Sequence, residues 1–174
     1  MRWISRVSTW CCAVVSILLL CLLPCLSASA LAGQASFLGA GGGVYNVGES
    51  DAGGYGVIDY RPPLGLHGVG TWISMYGTDD GIAYFSGGIL KDIYLSQSVV
   101  LTPSFGVGLY NQDSEDVVLG NPVEFRSAAK LSYELENGCR IGVRFGHVSN
   151  AGLGATNPGS EFLSLLYTFR LGSE

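Results

Sequence analysis

The sequence predicts an all-β protein, a single eight-stranded antiparallel transmembrane β-barrel of the outer membrane. Three observations lead there. Short segments alternating apolar and polar residues recur along the 174-residue chain, with no convincing stretch of helical period between them. The cleanest segments carry charges of both signs on one face and large apolar side chains on the other, as a narrow polar lumen and a lipid-facing wall require. The connections alternate long and short, the asymmetry of a barrel whose longer loops lie outside the cell. A soluble β-sandwich alternates in the same way with its polar face in water, and alternation alone does not separate the two.

Residues 1–30 are expected to be a secretory signal peptide. Arg2 and Arg6 give a basic start, Cys11 to Leu23 form an apolar run, and Ala28-Ser29-Ala30 offers a small-residue cleavage site, with Ala30-Leu31-Ala32 as a second. The run is short for a membrane anchor, and Cys25 follows Pro24 where a lipoprotein site would place a small residue. Residues 31–174 are then one barrel domain. Cys11, Cys12, Cys21 and Cys25 leave with the signal, so Cys139 has no disulfide partner. His67 and Cys139 stand alone, and no metal or other cofactor is expected. A net charge of −5 with no basic run argues against a nucleic-acid partner.

Strands are expected near 36–47, 53–61, 67–77, 81–95, 98–111, 122–135, 138–149 and 160–171. Turn signals divide them: Glu49 to Gly53, Pro62-Pro63, Asp79-Asp80-Gly81, Ser96-Gln97-Ser98, Asn111 to Pro122, Glu136-Asn137-Gly138 and Asn150 to Gly159. In the first strand, the Gly39 to Gly43 run opens no helical pattern and is not read as a phosphate loop. His67 beside the proline turn is expected in solvent, and Trp72, Tyr76 and Tyr84 in an aromatic girdle or the lumen. In the fifth strand Val99, Leu101, Phe105, Val107 and Leu109 oppose Thr102, Ser104, Gly106 and Gly108. In the sixth, Val123, Phe125, Ala129, Leu131, Tyr133 and Leu135 oppose Glu124, Arg126, Lys130, Ser132 and Glu134. The seventh sets Ile141, Val143 and Phe145 against Arg140, Gly142, Arg144 and Gly146, with Arg144 expected to pair with Glu124 or Glu134 inside. In the eighth, Leu163, Leu165, Tyr167, Phe169 and Leu171 share one face. With both termini periplasmic, loops 111–121 and 150–159 fall on the extracellular side and turns 95–98 and 136–138 on the periplasmic side.

Parity then singles out three residues. His147 and Ser149 continue the lipid-facing row of the seventh strand, and Glu161 begins that of the eighth. Residues two apart on a strand are ~6.5–7 Å apart at Cα, so the imidazole can reach the serine, and Glu161, opposite or diagonal, can reach the other ring nitrogen. A serine hydroxyl needs a base to become a nucleophile, and an imidazole needs an acceptor to fix its tautomer and stabilise its cation. The competing reading is a girdle histidine beside an unrelated loop serine.

Arg144-x-x-His147-x-Ser149-Asn150-Ala151-Gly152, followed by Asn157-Pro158-Gly159-x-Glu161, resembles the motif of the outer-membrane lipid A 3-O-deacylases of the PagL type. The resemblance is specific over residues 144–161. It implies an eight-stranded barrel that hydrolyses the ester-linked 3-hydroxyacyl chain at position 3 of lipid A in lipopolysaccharide. Ser149 would be the nucleophile, His147 the general base and acid, and Glu161 its orienter. Asn150 would matter for activity, with the Gly152 N–H and Asn157 as oxyanion donors. Lipid A and the surrounding outer-membrane lipid would be its partners. One departure is the C-terminus, which runs past Phe169 to Gly172-Ser173-Glu174 where such barrels commonly end in an aromatic residue. A non-catalytic structural or adhesive barrel, and a barrel esterase acting on phospholipid, are the competing functions.

Overall fold

The computed structural model describes residues 35–79, 81–111 and 119–172. The expected signal peptide lies outside them. The described chain consists of β1 (Ser36–Tyr45), β2 (Gly53–Arg61), β3 (Gly65–Leu66), β4 (Val69–Thr78), β5 (Ala83–Lys91), β6 (Ile93–Tyr94), β7 (Val99–Tyr110), β8 (Val123–Glu134), β9 (Arg140–Ser149) and β10 (Ser160–Leu171). Sheet order is β2-β1-β10-β9-β8-β7-β5-β4, and a β2–β4 ladder from Tyr55↔Thr78 to Tyr60↔Ile73 closes it. Every pairing is antiparallel. The eight long strands thus form a closed barrel without edges. The two-residue strands β3 and β6 extend the wall at the end that holds the first residue of β1 and the last of β10.

The expected strands agree with these to within a few residues, except at two places. The third begins at Val69, because His67 (φ 52°) and Gly68 (φ 77°) adopt left-handed backbone and turn the chain between β3 and β4. The fourth is interrupted after Lys91. Between β5 and β6, the Asp92 carboxylate bonds the guanidinium of Arg61 at 2.6 Å and that of Arg140 at 2.7 Å.

The two faces separate as an outer-membrane barrel demands. Ile58, Ile73, Met75, Phe85, Ile89, Phe105, Leu131, Val143, Phe145 and Leu165 lie exposed on the outer wall. Glu124, Arg126, Ser132, Arg140, Arg144 and Thr168 are buried within. A sandwich would bury the first set and leave the second in water, so this distribution excludes it.

The lumen has two halves. Tyr45, Tyr55, Tyr76, Tyr84, Tyr110 and Phe162 pack together at the end away from the termini. Toward the termini the filling is ionic: Arg144–Asp59 at 2.6 Å, Arg140–Glu134 at 2.8 Å and the two arginine contacts of Asp92. The expected pairing of Arg144 with Glu124 or Glu134 is therefore corrected. Arg140 lies directly opposite Glu134 and takes it, Arg144 lies opposite Lys130, and its carboxylate comes from β2 on another part of the wall. Trp72, Tyr76 and Tyr84 all point inward. The Arg126 guanidinium stacks 4.2 Å from the Trp72 ring. Gly106 leaves room for that indole, since a Cβ there would lie 2.6 Å from Trp72 Cζ2.

Candidate active site

The alternation of β9 buries Arg140, Gly142, Arg144, Gly146 and Val148 and turns Ile141, Val143, Phe145, His147 and Ser149 to the exterior. β10 buries Phe162, Ser164, Leu166 and Thr168, so Glu161 faces outward with Leu163 and Leu165. The register places Glu161 directly opposite His147. Glu161 Oε1 lies 3.0 Å from His147 Nδ1. Both side chains are nearly half exposed, at 43% and 47%, and the surface they are exposed on is the outer wall. With Nδ1–H donating to the carboxylate, Nε2 keeps its lone pair and is the basic atom.

Ser149 ends β9 on the same row. Its Cα is ~6.5–7 Å from that of His147 by strand geometry. Among the described residues its hydroxyl makes no hydrogen bond to the imidazole. Gly159 closes over the ring. Its φ is 69°, and a Cβ there would come within 2.7 Å of His147 Cε1 and 3.2 Å of Nε2. Only glycine combines that backbone with that approach. Gly159 belongs to the Asn-Pro-Gly turn read from the sequence, but its contact with the imidazole is not visible there. Ser127 of β8 is another outward hydroxyl directly opposite His147, on the side away from Glu161.

The β9–β10 connection is organised by Asn150, which is completely buried. Its Nδ2 donates to the carbonyls of Leu119 and Thr156, both at 2.7 Å, and its Oδ1 accepts the Gly152 N–H at 2.9 Å. Its own N–H donates to Asn157 Oδ1 at 3.0 Å, and its carbonyl accepts the Leu153 N–H at 3.0 Å. Asn150 thus ties the loop before β10 to the segment before β8. Ala151 (φ 53°) and Gly152 (φ 79°) provide the left-handed turn that allows this. The geometry alters the roles expected of the other two loop residues. The Gly152 N–H is occupied by Asn150 Oδ1 and is not free for an oxyanion in this conformation. Asn157 accepts through Oδ1, which leaves its Nδ2 as an available donor.

His147, Ser149 and Glu161 therefore share one exterior patch. Asn150, Gly152 and Asn157 form the loop beside it, between β9 and β10, whereas Arg144 is on the opposite face of the wall, bonded to Asp59. Among the described residues no group of three or more His, Cys, Asp or Glu could hold a metal ion.

A closed eight-stranded barrel with an apolar exterior, an ionic lumen and a polar patch at one rim is an integral protein of the outer membrane. The chain belongs to the lipid A 3-O-deacylase (PagL) family, whose model matches residues 67–170 and so includes every residue of the patch. It is 26% identical over 120 residues to the lipid A deacylase PagL of Bordetella bronchiseptica, an alignment covering 68% of this chain. The chain spans 66% of that relative's length, just under two thirds. Its fold resembles the crystal structure of the outer membrane enzyme PagL with a TM-score of 0.61 at 20% identity, covering 78% of this chain and 99% of that one. Neisserial surface protein A is similar at a TM-score of 0.58 and 10% identity, covering 78% and 97% of the two chains. At such identities the structural likenesses speak for the fold alone.

Proposed function

We propose that this protein is a serine esterase that removes the 3-hydroxyacyl chain ester-linked at position 3 of lipid A. Residues 1–30 act as the export signal in this reading. The observation that carries it is the Glu161–His147 hydrogen bond between directly opposed residues on the lipid-facing side of the wall. A carboxylate on that face is costly unless paired, and a pairing that also fixes the histidine tautomer is what a general base requires.

His147 Nε2 takes the Ser149 proton as Oγ attacks the ester carbonyl carbon. The tetrahedral intermediate collapses when the imidazolium returns that proton to the departing sugar oxygen, leaving an acyl-serine. Water activated by the same nitrogen then releases the fatty acid and regenerates Ser149. Glu161 stabilises the imidazolium in both halves. Asn157 Nδ2 is the donor best available to the oxyanion, and Asn150 holds it there through its own N–H. The Gly152 N–H joins it only in a conformation that releases Asn150 Oδ1. Because the patch faces outward at the extracellular rim, lipid A is attacked within the outer leaflet. The fatty acid leaves along the apolar wall of Phe145, Val143 and Leu165.

The test is mass spectrometry of lipid A after incubation with refolded protein, with Ser149→Ala alongside. Loss of one hydroxyacyl chain, absent in the variant although it shows the same heat-modifiable migration on gels, is the expected result. Equal deacylation by Ser149→Ala would refute the nucleophile. Hydrolysis of phospholipid with lipid A untouched would move the substrate to the other ester class.

A further inference from the structure

We propose that Ser127 is a specificity-determining residue whose hydroxyl binds the 3-hydroxyl of the acyl chain being removed, so that the site prefers hydroxylated over plain acyl esters. The inference rests on the deacylase reading above. The outward row of β8 runs Val123, Phe125, Ser127, Ala129, Leu131. Ser127 is the one polar side chain from Val123 to Leu131, with Tyr133 at the far end of the row, and it stands on a wall that meets lipid. Its hydroxyl makes no hydrogen bond among the described residues, an unfavourable state for a polar group in apolar surroundings. Its position is specific: it lies directly opposite His147, while Phe125 lies opposite Ser149. Opposed side chains on neighbouring strands have Cβ atoms about 4.5–5.5 Å apart, and the diagonal from Ser127 to Ser149 is about 7–8 Å at Cα. A single substrate segment can therefore touch both hydroxyls.

The chemistry of the substrate supplies the match. With the ester carbonyl at Ser149, the acyl chain must descend the wall into the hydrocarbon. Its third carbon lies two bonds below the carbonyl carbon, toward the level of His147 and Ser127. The relief of the wall guides it there. Phe105 and Phe125 stack at 6.3 Å between centroids on one side, and Phe145 stands on the other. Below Ser127 the wall is low, with Ala129 opposite Pro103 on β7. A chain in this trough passes Ser127 two carbons after the scissile carbonyl. A hydroxyl there meets a partner, whereas a methylene leaves Ser127 unsatisfied.

The experiment uses two synthetic lipid A species that differ only in whether the position-3 acyl chain carries the 3-hydroxyl. They are assayed with the wild-type protein, Ser127→Ala and Ser127→Thr, each checked for heat-modifiable migration. Wild type should prefer the hydroxylated chain. Ser127→Ala should lower kcat/KM for that chain about tenfold, the order of one net hydrogen bond, and leave the plain chain within about twofold. Ser127→Thr should keep the preference. An equal loss on both chains, or no loss on either, overturns the proposal while leaving the deacylase intact. Should the wild type hydrolyse neither species, the deacylase reading fails on its own account. Binding of the two lipids to wild type and Ser127→Ala then decides: equal affinities for both lipids overturn the role of Ser127, and a preference lost only in the variant sustains it.

Discussion

Asn150→Asp isolates the contribution of the loop clasp, because it changes one group and preserves the shape. The Asn150 Nδ2 bonds to Leu119 and Thr156 become contacts between a carboxylate oxygen and two carbonyl oxygens at the same 2.7 Å spacing. The Gly152 N–H keeps its acceptor. A buried acceptor deprived of its donor costs about 1–3 kcal/mol, so two of them amount to roughly 2–6 kcal/mol before any like-charge penalty. That destabilisation falls on the 150–159 loop and the segment at Leu119, not on the barrel ladders, so opening is local. Even about 2 kcal/mol lowers the closed-to-open ratio about 30-fold. The open-state population therefore rises about 30-fold or more, and lipid A deacylation, measured by mass spectrometry of the product, falls as the clasp that holds Asn157 is lost. Hydrogen exchange at the Asn150 and Gly152 amides should rise while heat-modifiable migration stays unchanged. Wild-type activity together with wild-type exchange at those two amides would refute the clasp. Lost activity with a barrel that fails to refold would refute the claim that the effect is local.

Three further outcomes follow from other contacts. Glu161→Gln removes the charge that stabilises the imidazolium and permits the wrong tautomer, so kcat should fall at least about tenfold with KM nearly unchanged; a rise in KM at constant kcat would contradict this. Gly159→Ala places a methyl against the imidazole and strains a backbone at φ 69°, so activity should fall while β9–β10 pairing persists, checked by kinetics beside hydrogen exchange of both strands. Asp92 gives a pH dependence of stability. Burial works to raise its carboxyl, but the Arg61 charge and the hydrogen bond and charge of Arg140 outweigh it and hold the group at about 2. A depressed folded-state value contributes stability that is fully present above the unfolded value near 4 and is lost as pH falls toward about 2, roughly 2 kcal/mol in all. Denaturant midpoints of wild type and Asp92→Asn should therefore differ at pH 6 and converge near pH 2, and a difference independent of pH would refute the linkage.

Much of the barrel was legible because its governing signal is local. Period-two alternation in β8 and β9 is written in consecutive residues, and so is the outward parity of His147, Ser149 and Glu161. What was not legible depends on contacts across the lumen or between loops. Nothing near Lys91 announces that the fourth strand breaks so that Asp92 can meet Arg61 and Arg140, because those arginines lie on β2 and β9. Arg144 pairs with Asp59, 85 residues away, since closure brings β2 around to face it while Glu134 is taken by Arg140. Asn150 could be singled out by resemblance, but its five hydrogen-bonding partners include Leu119 on another loop, and no strand pattern predicts that.

The register also explains why such a site belongs on the outside of a barrel. On β9 and β10 the outward rows are apolar or aromatic from Ile141 to Phe145 and from Leu163 to Phe169, then turn polar together at His147 and Glu161. Antiparallel pairing makes that coincidence geometrical: the last outward positions of one strand must face the first of the next, so a histidine and a carboxylate near a shared turn are held opposite by backbone ladders on both sides. The lumen meanwhile keeps Arg140 and Arg144 paired with carboxylates of their own, on the other face of the wall from Glu161. A charge pair oriented by the sheet itself needs no mobile loop to assemble it. The loop from Asn150 to Gly159 is left to position the oxyanion donor and to cap the imidazole, and this division of labour is why Asn150→Asp and Glu161→Gln should differ in hydrogen exchange even where they agree in lost activity.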